Sequence, residues 1–218
     1  VGHTLKLGLE FFCANGPAGI RAVQAAAPSV PIFLDLKFHD IPNTVAGVVR
    51  SVTPLAPTLF TVHASGGEAM LRAAVQAASE QAAALGVARP MVLAVTVLTS
   101  MDDGDLTAVG QSPPAEQQVV RLATLAKSCG VDGVVCSARE IAPIRAALGS
   151  DFILVVPGIR PAGGVVGDQK RVVTPAVAME AGASCLVVGR PITQAEQPLQ
   201  AAHAILDEIN TASTTTGQ

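Results

Sequence analysis

The sequence predicts an α/β protein of the (β/α)8 barrel, or TIM barrel, class, and three observations lead there. Short apolar, β-branched runs alternate with Ala-rich runs from one end to the other, the order that builds parallel βα units. The strand-like runs are apolar on both faces, as parallel strands covered by helices are. No early G-x-G-x-x-G turn occurs in the 218 residues, which favours a closed barrel over an open dinucleotide-binding sheet. No linker, charge block or low-complexity stretch divides the chain, so a single domain over 1–218 is expected.

The elements follow in order. Val1 to Leu7 runs from a loop into a short strand with Lys6 near its end, and an Ala-rich helix over about 17–27 stops at Pro28. A buried strand over 32–37 follows Pro31, and Pro42 suits the first turn of a helix over about 42–54. Leu59 to His63 reads as the third strand. Gly66-Gly67 opens a long helix to about Leu85, which Gly86 ends. Met91 to Val97 is the fourth strand, with a polar segment over Asp102 to Gln111 beyond it. A helix over about 114–128 ends at Gly130, Gly133 to Cys136 is the fifth strand, and a helix covers Ala138 to Leu148. Phe152 to Val156 makes the sixth strand, followed by a glycine-rich loop over 157–169 and a short helix over about 175–181. Cys185 to Val188 is the seventh strand. Gly189-Arg190-Pro191 leads into a last helix over about 197–209, and 211–218 reads as a frayed polar tail. That makes seven strands rather than eight. The sequence opens at Val1 partway through what a complete barrel would have as its second unit, so a first βα unit is expected to be lacking.

Composition excludes several classes. Half of the chain is hydrophobic and 14% is charged, which is globular rather than disordered. A net charge of −3 without a basic run argues against nucleic acid or an anionic membrane as partner, and Trp and Tyr, the usual stacking platforms for single strands, are absent. No apolar stretch approaches the roughly 20 residues of a membrane span. Cys13, Cys129, Cys136 and Cys185 show no C-x-x-C spacing, and Cys136 and Cys185 fall in apolar runs. Reduced, mostly buried thiols and a cytoplasmic location are therefore expected.

The chemistry concentrates in Phe33-Leu34-Asp35-Leu36-Lys37-Phe38-His39-Asp40-Ile41-Pro42-Asn43-Thr44. Residues two apart on a strand share a face, so Asp35 and Lys37 are expected to project together. Asp40 follows where the strand gives way to a helix, the end of a βα unit at which barrels place their sites. Charges on an apolar strand are costly unless paired. An Asp35–Lys37 pair could be purely structural, but it would not call for a third charge at Asp40. With Lys6 near the end of another strand, two lysines and two aspartates can form an alternating array that keeps an ammonium beside an ionised carboxylate, ready for proton donation. Alone, Lys6 would read as a solvent-facing lysine.

A second candidate region lies late in the chain. Gly189 and Arg190 follow the last strand just before a helix, a place suited to a phosphate monoester. The loop over 157–169 carries Arg160 and Gln169 and is long enough to close over a ligand. Thr99 and Ser100 follow a strand end and could hydrogen-bond a polar ring. His63 could act as a base but reads better as a hydrogen-bonded barrel histidine, and His39 as an orienting neighbour. No His/Cys/Asp cluster has metal-ligand spacing.

These motifs resemble those of the orotidine 5'-phosphate decarboxylase family in its bacterial form. The resemblance covers Asp35 to Thr44, Val62-His63-Ala64-Ser65-Gly66, Val95 to Ser100, Pro157 to Pro161, Gly167-Asp168-Gln169 and Val188 to Thr193, in that order along the chain. It implies a TIM barrel that converts orotidine 5'-monophosphate to UMP in pyrimidine biosynthesis with neither metal nor organic cofactor. It implies that Lys37 protonates the C6 carbanion, with Asp35 beside the substrate carboxylate. Lys6 and Asp40 complete the charge array and contact the ribose. Thr99 contacts the pyrimidine, and Arg160, Gln169, Gly189 and Arg190 bind the phosphate. Asp40 and Thr44 reach into the partner's site, which implies a homodimer with shared sites.

The family also has a ribose-contacting aspartate at the end of its first strand, which this sequence does not carry. Two rivals follow. One is a related sugar-phosphate decarboxylase or aldolase with the same Asp-x-Lys-x-x-Asp array and a magnesium ion. The other is a truncated, non-catalytic nucleotide-binding barrel. The Ile41 to Thr44 run and the 157–169 loop favour the pyrimidine enzyme over the first. The intact Asp35, Lys37 and Asp40 count against the second.

Overall fold

The computed structural model describes residues 4–161 and 173–215, which form two compact units. One holds the chain up to Val95 together with Leu125–Gly133; the other holds Thr96–Thr124 and the chain from Val134 on.

The first unit is built of parallel βα steps. Strand β1 (Leu5–Gly8) leads into helix α1 (Leu9–Ala26), strand β2 (Ile32–Phe38) into α2 (Pro42–Val52), and strand β3 (Leu59–His63) into α3 (Gly67–Leu85), before strand β4 (Met91–Val95). The four strands pair in chain order, all parallel. Apolar side chains on both faces of β2 and β3 do what the sequence pattern requires of them: Leu34, Phe60 and Val62 are fully buried, as are Met70 and Leu71 on α3. Helix α1 begins eight residues before the predicted position. It is two helical pieces joined at Gly16, whose φ of 57° and ψ of −161° interrupt the helix before Pro17 opens the second piece. Pro17 thus marks a restart rather than a beginning.

Helix α3 ends as expected, with Gly86 at φ 64° and its N–H returned to the last turn. A Cβ there would meet no neighbour, so a substitution tests backbone conformation alone. Gly86→Ala is expected to cost about 1 kcal/mol, a fall of roughly 2–4 °C in Tm for a chain of this size, read by a thermal melt.

The second unit carries α4 (Asp103–Ala108), α5 (Ala115–Ser128, whose last turn belongs to the first unit), β5 (Gly133–Val135, whose first residue belongs to the first unit), α6 (Ile141–Leu148) and β6 (Ile153–Val156). It continues with α7 (Pro175–Glu180), β7 (Cys185–Leu186), α8 (Arg190–Thr193) and α9 (Pro198–Thr215). Strands β6 and β7 pair in parallel, and Leu106, Ile141, Ile144, Leu154 and Ile159 are buried there. The polar segment after β4 contains α4, because Asp102 and Asp105 cap each other's backbone N–H groups reciprocally. Strand β7 is only two residues long, and Cys185 on it is exposed, as is Cys13; Cys129 and Cys136 are buried. Helix α9 continues six residues beyond the predicted end at Ile209.

Candidate active site

Strand β2 departs from regular pairing where its charges begin. Between Leu34 and Phe38 it advances four residues while β3 advances two, from Phe60 to Val62. Inside that excess, Lys37 has a φ of 53°, in the left-handed region that a side chain with a Cβ rarely enters. Asp35 and Lys37 meet as expected, but through this irregularity rather than by plain strand alternation.

The Asp35 carboxylate stands between two ammonium groups. Lys37 Nζ donates to Oδ1 at 2.8 Å and Lys6 Nζ, from β1, to Oδ2 at 3.2 Å. Thr61 on β3 donates its hydroxyl to Oδ1 at 3.0 Å and accepts the Lys37 backbone N–H at 2.9 Å. Burial pushes the Asp35 carboxyl up; the Lys37 hydrogen bond and charge, the Lys6 charge and the Thr61 hydroxyl outweigh it and hold the group below its ordinary value. The side chains of Asp35, Lys37 and Lys6 are 12%, 29% and 34% exposed, so the network is sheltered at its carboxylate and open at its ammonium ends.

Asp40 is not part of that network. It is exposed, and its Oδ1 accepts the Ile41 N–H at 2.6 Å at the entry to α2. Thr44, in the first turn of α2, is exposed as well. His39 and His63 lie against each other, ring centroids 5.3 Å apart. Burial, then the charges of His39 and Lys37, lower the His63 imidazole below its ordinary value, and Asp35 offsets only part. Gly66 makes room for this packing, since a Cβ there would strike the Met70 side chain and press on His39 Cδ2.

The remaining candidates belong to the second unit. Thr99 is half-buried in the turn closed by Met101 N–H to Leu98 O. Arg160 is buried, follows Gly158 at φ 78°, and has its backbone N–H on Val173 O. Its guanidinium donates to Ile159 O at 2.9 Å. Gly189 caps α8 with its carbonyl, accepting from Ile192 and Thr193, and Arg190 is exposed at the first position of that helix. Gln169 and most of its loop lie outside the described residues. Among the described residues, no three His, Cys, Asp or Glu side chains gather as metal ligands, and no helix is long and apolar enough to cross a membrane.

Residues 2–205 match the family model described as orotidine 5'-phosphate decarboxylase / HUMPS family. The chain belongs to that family. An orotidine 5'-phosphate decarboxylase of Rhodospirillum rubrum is 59% identical over 205 residues, 94% of this chain and 83% of the relative. One of Moorella thermoacetica is 55% identical over 94% of this chain and 81% of the relative. Among solved structures, the orotidine 5'-phosphate decarboxylase of Lactobacillus acidophilus aligns with a TM-score of 0.81 at 41% identity, over 94% of this chain and 86% of that one. The fold class is the α/β TIM barrel of these relatives. Every candidate site residue from Lys6 to Arg190 falls inside the stretch matched to the family. Thr61 is the addition that only the structure makes. A threonine between Phe60 and Val62 reads in sequence as an ordinary β-branched strand residue, and its one signal is a hydroxyl in an otherwise apolar run.

Proposed function

We propose that this chain decarboxylates orotidine 5'-monophosphate to UMP. The observation that carries the proposal is the Asp35 carboxylate held between the Lys37 and Lys6 ammonium groups at neighbouring strand ends, in a chain whose relatives bear that enzyme's name. The same names, together with the 51% or higher identity of the relatives that carry them, disfavour the sugar-phosphate rival.

Breaking the C6–carboxylate bond without an electron sink leaves the electron pair on C6 as a localised carbanion. CO2 departs in that step, and Lys37 then delivers its proton to the electron pair on C6. An ammonium about 4 Å from the forming charge contributes about 4 kcal/mol at an effective dielectric of about 20, whereas the largest enzymatic accelerations require on the order of 20 kcal/mol. The remainder comes from binding the rest of the nucleotide. Thr99 is assigned to the pyrimidine, Lys6 and Asp40 to the ribose, and Arg160, Gln169, Gly189 and Arg190 to the phosphate. Asp35 stands near the substrate carboxylate and keeps Lys37 in place. No metal or cofactor takes part. The active form is a homodimer in which Asp40 and Thr44 serve the partner's site; exposure of both, with Ile41 between them at 66%, supports this. One family match running from residue 2 to 205 supports the single-domain reading.

The test is loss of orotidine monophosphate absorbance with excess EDTA present. Turnover undiminished by the chelator is the expected result. Turnover abolished by EDTA and restored by magnesium would favour the sugar-phosphate rival's chemistry. UMP binding without turnover would mark a non-catalytic barrel.

A further inference from the structure

We infer that Thr61 is a positioning residue for the decarboxylation, its one hydroxyl tying the Asp35 carboxylate to the Lys37 backbone and so fixing where the Lys37 ammonium stands. The inference rests on the proposed role of Lys37. Three observations support it.

The first is directional. A threonine hydroxyl has one proton to give and lone pairs to accept with. The Lys37 N–H can only donate, so at 2.9 Å it takes a lone pair of Thr61 Oγ1, and the hydroxyl proton is left for Asp35 Oδ1 at 3.0 Å. Thr61 is fully buried, so water does not compete for either bond. A carboxylate is the stronger acceptor for that proton, so the bond favours the ionised form of Asp35.

The second is where this happens. The Lys37 N–H lies within the excess of β2 over β3, between the paired positions Leu34–Phe60 and Phe38–Val62, and it donates to a side chain of β3. The side chain of Thr61 takes the place of a ladder bond. The third is the left-handed φ of 53° at Lys37. Such a conformation persists only where its surroundings over-determine it. Without the hydroxyl, the lysine backbone loses the bond that holds it in that turn, and its side chain starts from a different direction. A displacement of about 1 Å at a reacting group can cost on the order of 100-fold in rate.

The groups facing the Asp35 carboxylate are Lys6 on β1, Lys37 on β2 and Thr61 on β3; His63, packed on His39, feels the Asp35 charge. The lysine charges stay when Thr61 is altered. Removing the hydroxyl therefore relaxes the carboxyl upward without abolishing its pairing.

The experiment compares Thr61→Val, which keeps shape and loses the hydroxyl, with Thr61→Ser, which keeps the hydroxyl, and runs Lys37→Ala beside them on orotidine monophosphate. Thr61→Val is expected to lower kcat by roughly 10- to 100-fold with KM within about threefold. The acid limb of its kcat/KM profile is expected to move upward in pH. Thr61→Ser is expected to restore both. If the valine variant does not fold, Thr61→Ala serves the same comparison. A valine variant with wild-type kcat and an unmoved acid limb, altered only in Tm, would make Thr61 a structural residue and overturn the inference. If Lys37→Ala itself keeps wild-type turnover, the role of Lys37 fails instead, and the two failures are told apart within one set of assays.

Discussion

Lys37→Ala is expected to lower kcat/KM for orotidine 5'-monophosphate by on the order of 10⁴-fold, because the proton donor and the positive charge facing the forming carbanion are lost together. UMP has no carboxylate to lose and generates no carbanion, so its affinity, read by calorimetry, is expected to change by less than about tenfold. The backbone supplies a second comparison. Alanine at position 37 would still occupy the φ of 53°, so Lys37→Gly, equally inactive, is expected to be more stable than Lys37→Ala by about 1 kcal/mol. An alanine variant with wild-type turnover would remove Lys37 from the chemistry. Equal stability of the two variants would mean that the left-handed turn relaxes once the side chain is gone.

Much of this site could be read from the sequence because charge on an apolar strand is an anomaly with few explanations. Asp35, Lys37 and Asp40 stand out against Ile32, Phe33, Leu34 and Leu36. Strand β3 and helix α3 were legible for a simpler reason: Leu59 to His63 is uniformly strand-like, and Gly66-Gly67 and Gly86 punctuate the helix at both ends. The first half of α1 was not legible, since Gly16-Pro17 reads as a beginning and hides the helix before it. Neither was the irregular pairing of β2. Alternation places Asp35 and Lys37 on one face, and nothing in those residue types announces that the chain gains length against β3 and turns left-handed at Lys37. Thr61 was hard to see for the same reason, because its role exists only where that irregularity brings the Lys37 N–H and the Asp35 carboxylate to one hydroxyl. Asp40 belongs to the same sequence motif, and within this chain its carboxylate accepts the Ile41 N–H at the start of α2.

Asp35→Asn separates what the carboxylate does for stability from what it does for chemistry. The amide keeps the shape but leaves Lys6 and Lys37, which both pair with this carboxylate, without an anion between them. Breaking a fully buried pair costs roughly 3–5 kcal/mol; with both ammonium ends partly exposed, about 2 kcal/mol is expected at pH 7. The pH dependence has a definite sign. The folded-state carboxyl lies below its ordinary value of 3.8, so the folded protein binds fewer protons than the unfolded chain across that interval. The stabilisation is fully present above the ordinary value and is lost as pH falls through the folded one. Denaturant midpoints for the native chain and Asp35→Asn should therefore differ by a constant amount at pH 6 and above and converge in strong acid. Activity at pH 7 should fall by on the order of 10²- to 10³-fold, since the ammonium remains but is no longer held by its carboxylate. A gap in stability that persists unchanged at pH 2 would mean that the carboxylate acts through packing rather than charge, and the alternating array would lose its electrostatic basis.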